Sequence, residues 1–152
     1  MKNILVLCTG NSCRSQIAEA YLRHYAGDRA AIYSAGIETH GVNPKAVQVM
    51  AEDHLDITRH TSNQVDEYED IQFDYVITVC DHANEVCPFF PARVERFHQN
   101  FPDPAKATGT SDEIMDEFRN VRDRIKIFSA AFIQQNLLHK PQPFVVDNDA
   151  SK

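Results

Sequence analysis

Apolar residues run unbroken through Ile4-Leu5-Val6-Leu7 and then recur at helical spacing from Ile17 to Tyr25, with a polar stretch between the two patterns. An uninterrupted short run reads as a strand buried on both faces, and a 3.6-residue recurrence as a helix packed along one side. The pattern predicts a strand over 3–8 and a helix over 15–26, with Ile17, Ala18, Tyr21, Leu22 and Tyr25 on its packed side and Gly27 and Asp28 ending it. A second short strand is predicted over 31–35, closed by Gly36 and a polar loop through Gly41. Pro44 suits the first position of a helix over 44–53, with Ala46, Val47, Val49 and Met50 supplying the periodicity. A weaker pattern suggests a short helix over 63–70. The β-branched run 75–79 is a third strand that delivers Cys80 at its end, and 94–98 is a fourth.

Ser111 is the expected N-cap of the last helix, with Asp112 and Glu113 well placed for the dipole in its first turn. Ile114, Phe118, Val121, Ile125, Phe128 and Phe132 alternate steps of four and three. They form one apolar stripe over about 28 residues, or roughly 42 Å. A helix packed on the sheet is the plain reading, and a coiled-coil partner is the alternative. Pro141-Gln142-Pro143 breaks the pattern, so a single α/β domain over 1–140 is expected to end in a flexible or extended tail, 141–152. Strands alternating with helices imply a parallel sheet with helices on both faces, whose ligands bind beyond the carboxyl ends of the strands. Cys8 and Cys80 both fall at such ends.

A chain of 152 residues with 43% hydrophobic content can build one core. A single lysine and a short apolar run before Thr9 make neither a signal peptide nor a membrane span, so a cytoplasmic protein is expected. The net charge of −7 argues against nucleic acid or an anionic membrane as partner. An anionic substrate must therefore be attracted locally. In a reducing compartment four cysteines point to catalysis or metal binding before structural disulfides.

The octet Cys8-Thr9-Gly10-Asn11-Ser12-Cys13-Arg14-Ser15 puts a thiol at a strand-to-helix turn. Such a loop can aim its backbone N–H groups at one tetrahedral oxyanion, and Gly10 and Asn11 tolerate the φ > 0 conformations it needs. Arg14 adds a planar two-point fork, and the following helix adds its positive end. Those charges favour a Cys8 thiolate at neutral pH over the ordinary thiol, whose pKa is about 8.5. Ser15 is placed to cap the helix or donate to the sulfur. The plain alternative is an inert core cysteine. Cys13 reads as filler under the loop.

Cys80-Asp81-His82-Ala83-Asn84-Glu85-Val86-Cys87 separates two thiols by six residues. In a continuous helix they stand about 10 Å apart, so a disulfide requires unwinding. The spacing suggests a segment that is helical when reduced and looped when oxidised. Zinc ligation and two inert core thiols are the competing accounts, although this is not a usual zinc-knuckle spacing. Asp103 lies between Pro102 and Pro104, which pre-set its loop, and is a candidate general acid; a simple turn is the alternative.

On these residues the chain resembles the thioredoxin-coupled arsenate reductases, which share the low-molecular-weight tyrosine phosphatase fold. The likeness runs from 2 to about 128 and is strongest over 8–16, 33–44 and 80–88. It implies a three-layer α/β fold with a four-stranded parallel sheet in flavodoxin-like order. It implies Cys8 as nucleophile, Cys80 and Cys87 as relay cysteines, Arg14 and Ser15 as oxyanion and thiolate ligands, and Asp103 as acid. The loop Thr9, Gly10, Asn11, Ser12, Cys13, Arg14 and Ser15 would bind substrate, with Asn11 and His60 holding its shape. Some members bind potassium; Asn11, Glu19, Ser34 and Thr61 fall at such positions, but Asn63 replaces an aspartate, and otherwise no cofactor is implied.

The activity implied is reduction of arsenate to arsenite, with phosphate and sulfate as competing anions and thioredoxin as reductant. A tyrosine phosphatase using Cys8, Arg14 and Asp103 is the rival; it needs neither Cys80 nor Cys87, and Ala105 stands where such phosphatases commonly carry a tyrosine. A non-enzymatic thiol sensor or phosphocarrier leaves Arg14 and Asp103 without a use.

Overall fold

The computed structural model describes residues 1–87, 90–91 and 93–138. Its frame is four parallel strands, β1 (Lys2–Cys8), β2 (Ala30–Gly36), β3 (Tyr75–Thr78) and β4 (Glu95–His98), in the order β2-β1-β3-β4. Helices α1 (Arg14–Ala26), α2 (Pro44–Glu52), α3 (Asp81–Glu85) and α4 (Ser111–Ile133) flank it. The chain turns one way from β1 to β2 and the other way from β1 to β3, so the carboxyl ends of β1 and β3 open the crevice typical of such sheets. Cys8 ends β1, and Cys80 follows β3 by two residues.

Ile4, Leu5, Val6 and Leu7 are wholly buried, as a central parallel strand requires. Each such side chain contributes about 1.5–3 kcal/mol on leaving water. Helix α1 is buried nearly all round because it lies between the sheet and α4. The stripe on α4 is used within the chain: Phe118, Val121 and Ile125 are buried against this core. Phe132 meets Tyr75 and Phe97 edge to face at 5.6 and 4.9 Å.

Several boundaries differ from expectation for local reasons. Thr110, not Ser111, caps α4: its Oγ1 accepts from Glu113 N at 3.1 Å while Glu113 Oε1 accepts from Thr110 N at 2.8 Å. That reciprocal pair needs a glutamate three residues after the cap, which only Thr110 has. The stripe's last turn, Gln134–Leu138, is π-helical. Residues 63–70 hold only a 3₁₀ turn, Val65–Tyr68. The third strand stops at Thr78 and the fourth begins at Glu95. The expected tail 141–152 lies outside the described residues. Among the described residues no helix is long and apolar enough to cross a membrane.

Candidate active site

The loop after β1 is held from outside. Ile37, Glu38, His40 and Asn43 donate backbone N–H groups to the carbonyls of Cys8, Thr9, Gly10 and Ser12 at 3.0–3.2 Å. With those carbonyls drawn outward, the loop's N–H groups are left facing one space. Two glycines permit this contact. A Cβ on Gly36 would stand 2.2 Å from Glu38 O and 2.8 Å from Asn11 N, and one on Gly10 would stand 2.5 Å from the His40 ring. Within residues 8–15 only Asn11 takes φ > 0, at 50°. Gly10 therefore lets the His40 ring lie against the loop and is not needed for a left-handed backbone.

Asn11 is the loop's internal tie and is wholly buried. Its Nδ2 donates to Ser15 Oγ at 2.8 Å and to Ser34 Oγ at 3.0 Å, and its Oδ1 accepts from Asn63 N at 2.7 Å. Ser15 thus neither caps α1 nor reaches a sulfur; Cys13 is the cap residue and makes no side-chain cap bond. His60 supports the loop at one remove, through a residue sequence reasoning missed. Its Nδ1 bonds Gln16 Oε1 at 3.0 Å, and Gln16 Nε2 donates to Asn11 O and Thr61 O. The available signal was Gln16 next to the apolar positions Ile17 and Ala18, in a turn that also carries Ser15 and Glu19.

The loop opens into a cavity of about 310 Å³ lined by Cys8, Thr9, Gly10, Ser12, Cys13 and Arg14, with His40, Asp103, Ala105 and Lys106 at its rim. Arg14 NH1 donates to Phe101 O at 3.0 Å, and NH2 lies 3.7 Å from Asp103 Oδ2. Its Nε is buried with no partner among the described residues. A buried guanidinium nitrogen left free in a cradle of N–H groups fits an oxyanion oxygen. Asp103 Oδ1 accepts from Ala105 N at 3.0 Å, capping the turn Pro104–Lys106 and fixing the carboxylate at the cavity edge.

Cys80 comes to the same place from β3. Its sulfur lies 3.3 Å from Thr9 Oγ1 and accepts from Ala83 N at 3.4 Å, so it is the N-cap of α3. The Cys8 and Cys80 thiols act on one another. The Cys80 thiol is drawn down to about 5, first by Cys8 and then by Thr9, the Ala83 N–H and Arg14, against its burial. The Cys8 thiol is raised, first by Cys80 and then by burial, against Arg14. Both sulfurs are buried, and the donors at the second, Thr9 Oγ1 and the Ala83 N–H, draw negative charge toward Cys80, whereas the expectation placed it on Cys8. Cys13 is pushed up to about 12 by burial and by Asp103, and lines the cavity as a neutral thiol.

Cys87 lies just past the end of α3, half-buried, and burial raises its thiol against the opposing charge of Arg96. The helix spans only Asp81–Glu85 and does not reach Cys87. All four cysteines are free thiols.

At the positions where potassium was considered, Glu19 Oε1 accepts from Ser34 Oγ at 2.6 Å, and Oε2 accepts from Arg23 at 2.7–2.9 Å. Thr61 Oγ1 turns to Asn63 Oδ1. Arg23 and Arg59 line the small cavity there. Two guanidinium groups and an occupied carboxylate do not fit a resident cation.

Residues 3–142 match the low molecular weight phosphotyrosine protein phosphatase family. The chain belongs to that family. Within it, it falls with arsenate reductases: the arsenate reductase of Halalkalibacterium halodurans is 52% identical over 132 residues, covering 84% of this chain and 95% of the relative. Among solved structures, an arsenate reductase in the oxidised state matches with a TM-score of 0.77 at 26% identity, over 89% of this chain and 98% of that one. Another, in the phosphate-binding state, matches with a TM-score of 0.69 at 27% identity over the same shares.

Proposed function

We propose that this chain reduces arsenate to arsenite through Cys8, Cys80 and Cys87. One observation supports this above the others: a second buried thiol, Cys80, reaches the oxyanion loop that follows Cys8, with its sulfur 3.3 Å from Thr9 Oγ1 and the Ala83 N–H donating to it, an environment that favours the thiolate. A phosphatase has no use for that second thiolate. The fold's relatives named as arsenate reductases support the same reading.

Arsenate binds on the loop N–H groups of residues 9–15 and on Arg14 Nε, where phosphate and sulfate compete. Cys8 gives its proton to the Cys80 thiolate and attacks arsenic, while Asp103 protonates the departing hydroxide to water. Cys80 then attacks the Cys8 sulfur and gives its proton to an arsenic oxygen. The S–S bond forms, the S–As bond breaks, and its electron pair stays on arsenic, which leaves as arsenite. Cys87 attacks Cys80 in turn, and Cys8 departs as the thiolate and takes up the Cys87 proton. A dithiol protein of the thioredoxin class returns two electrons and two protons to the Cys80–Cys87 disulfide, which suits a reducing cytoplasm.

The loop, Arg14 and Asp103 also suffice for slow phosphomonoester hydrolysis. Arg23 supplies the positive charge at Glu19, so exchanging sodium for potassium leaves turnover unchanged; a potassium-dependent rate would overturn that assignment. The decisive assay is arsenate-dependent oxidation of NADPH with thioredoxin and thioredoxin reductase. Wild type turns over continuously, and Cys87→Ser stops after one turnover. Equal hydrolysis of para-nitrophenyl phosphate by both proteins, with no NADPH consumed by either, would leave the phosphatase reading in place.

A further inference from the structure

One imidazole ties together the elements from which Cys80 emerges. Thr78 and His98 end β3 and β4 and stand opposite each other in the parallel ladder. Thr78 Oγ1 bonds His98 Nδ1 at 2.7 Å, and His98 Nε2 bonds Asp81 Oδ1 at 2.7 Å. With the threonine hydroxyl donating to Nδ1, the ring proton is on Nε2 and both contacts are satisfied. Asp81 N donates to Asn100 Oδ1 at 3.0 Å. Asp81 is covalently joined to Cys80 and is the first residue of α3, so both ends of its peptide geometry are set by the sheet.

Resting on the thiol-relay reading, we propose that His98 is a positioning residue for the second step, holding Cys80 through Asp81 in line with the Cys8 sulfur. It does not line the oxyanion cavity. Nor does the fold need it: the Asp81 side chain is 71% exposed, and such pairs contribute little to stability. If the ring is removed, the buried Thr78 hydroxyl still has Phe97 O and Asn84 Oδ1 within 3.4 Å. Attack on the Cys8 sulfur, by contrast, requires a near-attack separation of about 3–3.5 Å, and a displacement of about 1 Å costs on the order of a hundredfold in rate.

The test uses single-turnover kinetics in Cys87→Ser, where the relay halts at the Cys8–Cys80 disulfide. Adding His98→Ala slows arsenite release and disulfide formation by about 10–100-fold. The affinity for inorganic phosphate, measured by calorimetry, and the melting temperature stay at the parent's values. His98→Gln, whose amide can still donate to Asp81, recovers part of the rate, and Asp81→Ala combined with His98→Ala adds no further loss. Equal rates in His98→Ala and its parent would overturn the assignment, as would phosphate affinity falling in step with the rate. A parent that forms no Cys8–Cys80 disulfide overturns the relay itself, and this inference with it.

Discussion

The loop over residues 8–15 and the segment over 80–87 carry the same chemical group and are held in opposite ways. Around the first, four backbone carbonyls are tied from outside, and the buried Asn11 side chain makes three hydrogen bonds with Gln16 behind it. The second is a five-residue helix whose cap is its own reactive sulfur, with the Val86 side chain 45% exposed next to Cys87. A site for a small tetrahedral anion gains from donors that do not move, since reorganisation then costs nothing at the moment of reaction. A thiol that must meet two different sulfurs gains from weak ties, because the helix has to open before Cys87 reaches Cys80. The proton affinities follow the same division: the Cys8 thiol is raised, and the Cys80 thiol, with Thr9 and the Ala83 N–H as donors, is lowered.

The sharpest separation of the two regions comes from two serine substitutions. Cys8→Ser removes arsenate reduction and any phosphomonoester hydrolysis together, whereas Cys80→Ser removes the reduction alone; loss of both activities in both variants would deny the division of labour. Asn11→Ala comes next. It removes the partner of the half-buried Asn63 N–H and frees the loop, lowering stability by about 1–3 kcal/mol and kcat/KM for arsenate by about 10–100-fold. Urea denaturation and steady-state assays measure the two effects, and an unchanged kcat/KM would show that the loop holds its shape without this residue.

The smallest effect is a pH dependence. Because the Cys80 thiol is lowered to about 5, its thiolate fraction is nearly constant above neutrality and falls as pH drops through that value. Alkylation of Cys80 by iodoacetamide, followed by mass spectrometry, therefore shows a midpoint near 5 and no further rise toward 9. In Cys8→Ala, which loses the largest of the lowering influences, that midpoint moves upward. A midpoint that stays in place would mean that Thr9 and the Ala83 N–H carry the effect.

The octet 8–15 was legible in sequence because its chemistry is contiguous. A buried strand, a tight loop and a helix start lie within one stretch, and each announces itself by period or residue type. The α4 stripe was legible for the same reason, and even its true cap, Thr110, carried a local signal in Glu113 that the choice of Ser111 passed over. The chain of Gln16, His60 and Asn11 was only partly visible, since a polar residue on an apolar face announces burial but does not name its partner.

By itself, then, the sequence determined the alternation of strands and helices, the anion loop and its arginine, and the six-residue spacing between Cys80 and Cys87. Tertiary structure decided which donors surround each sulfur, that Arg23 pairs with Glu19, and that His98 anchors the first residue of α3. The physical reason is distance. Local patterns are set by bonds and dihedral angles between near neighbours, whereas a proton's preference between Cys8 and Cys80, 72 positions apart along the chain, depends on angstrom-scale placement that the sheet order alone creates.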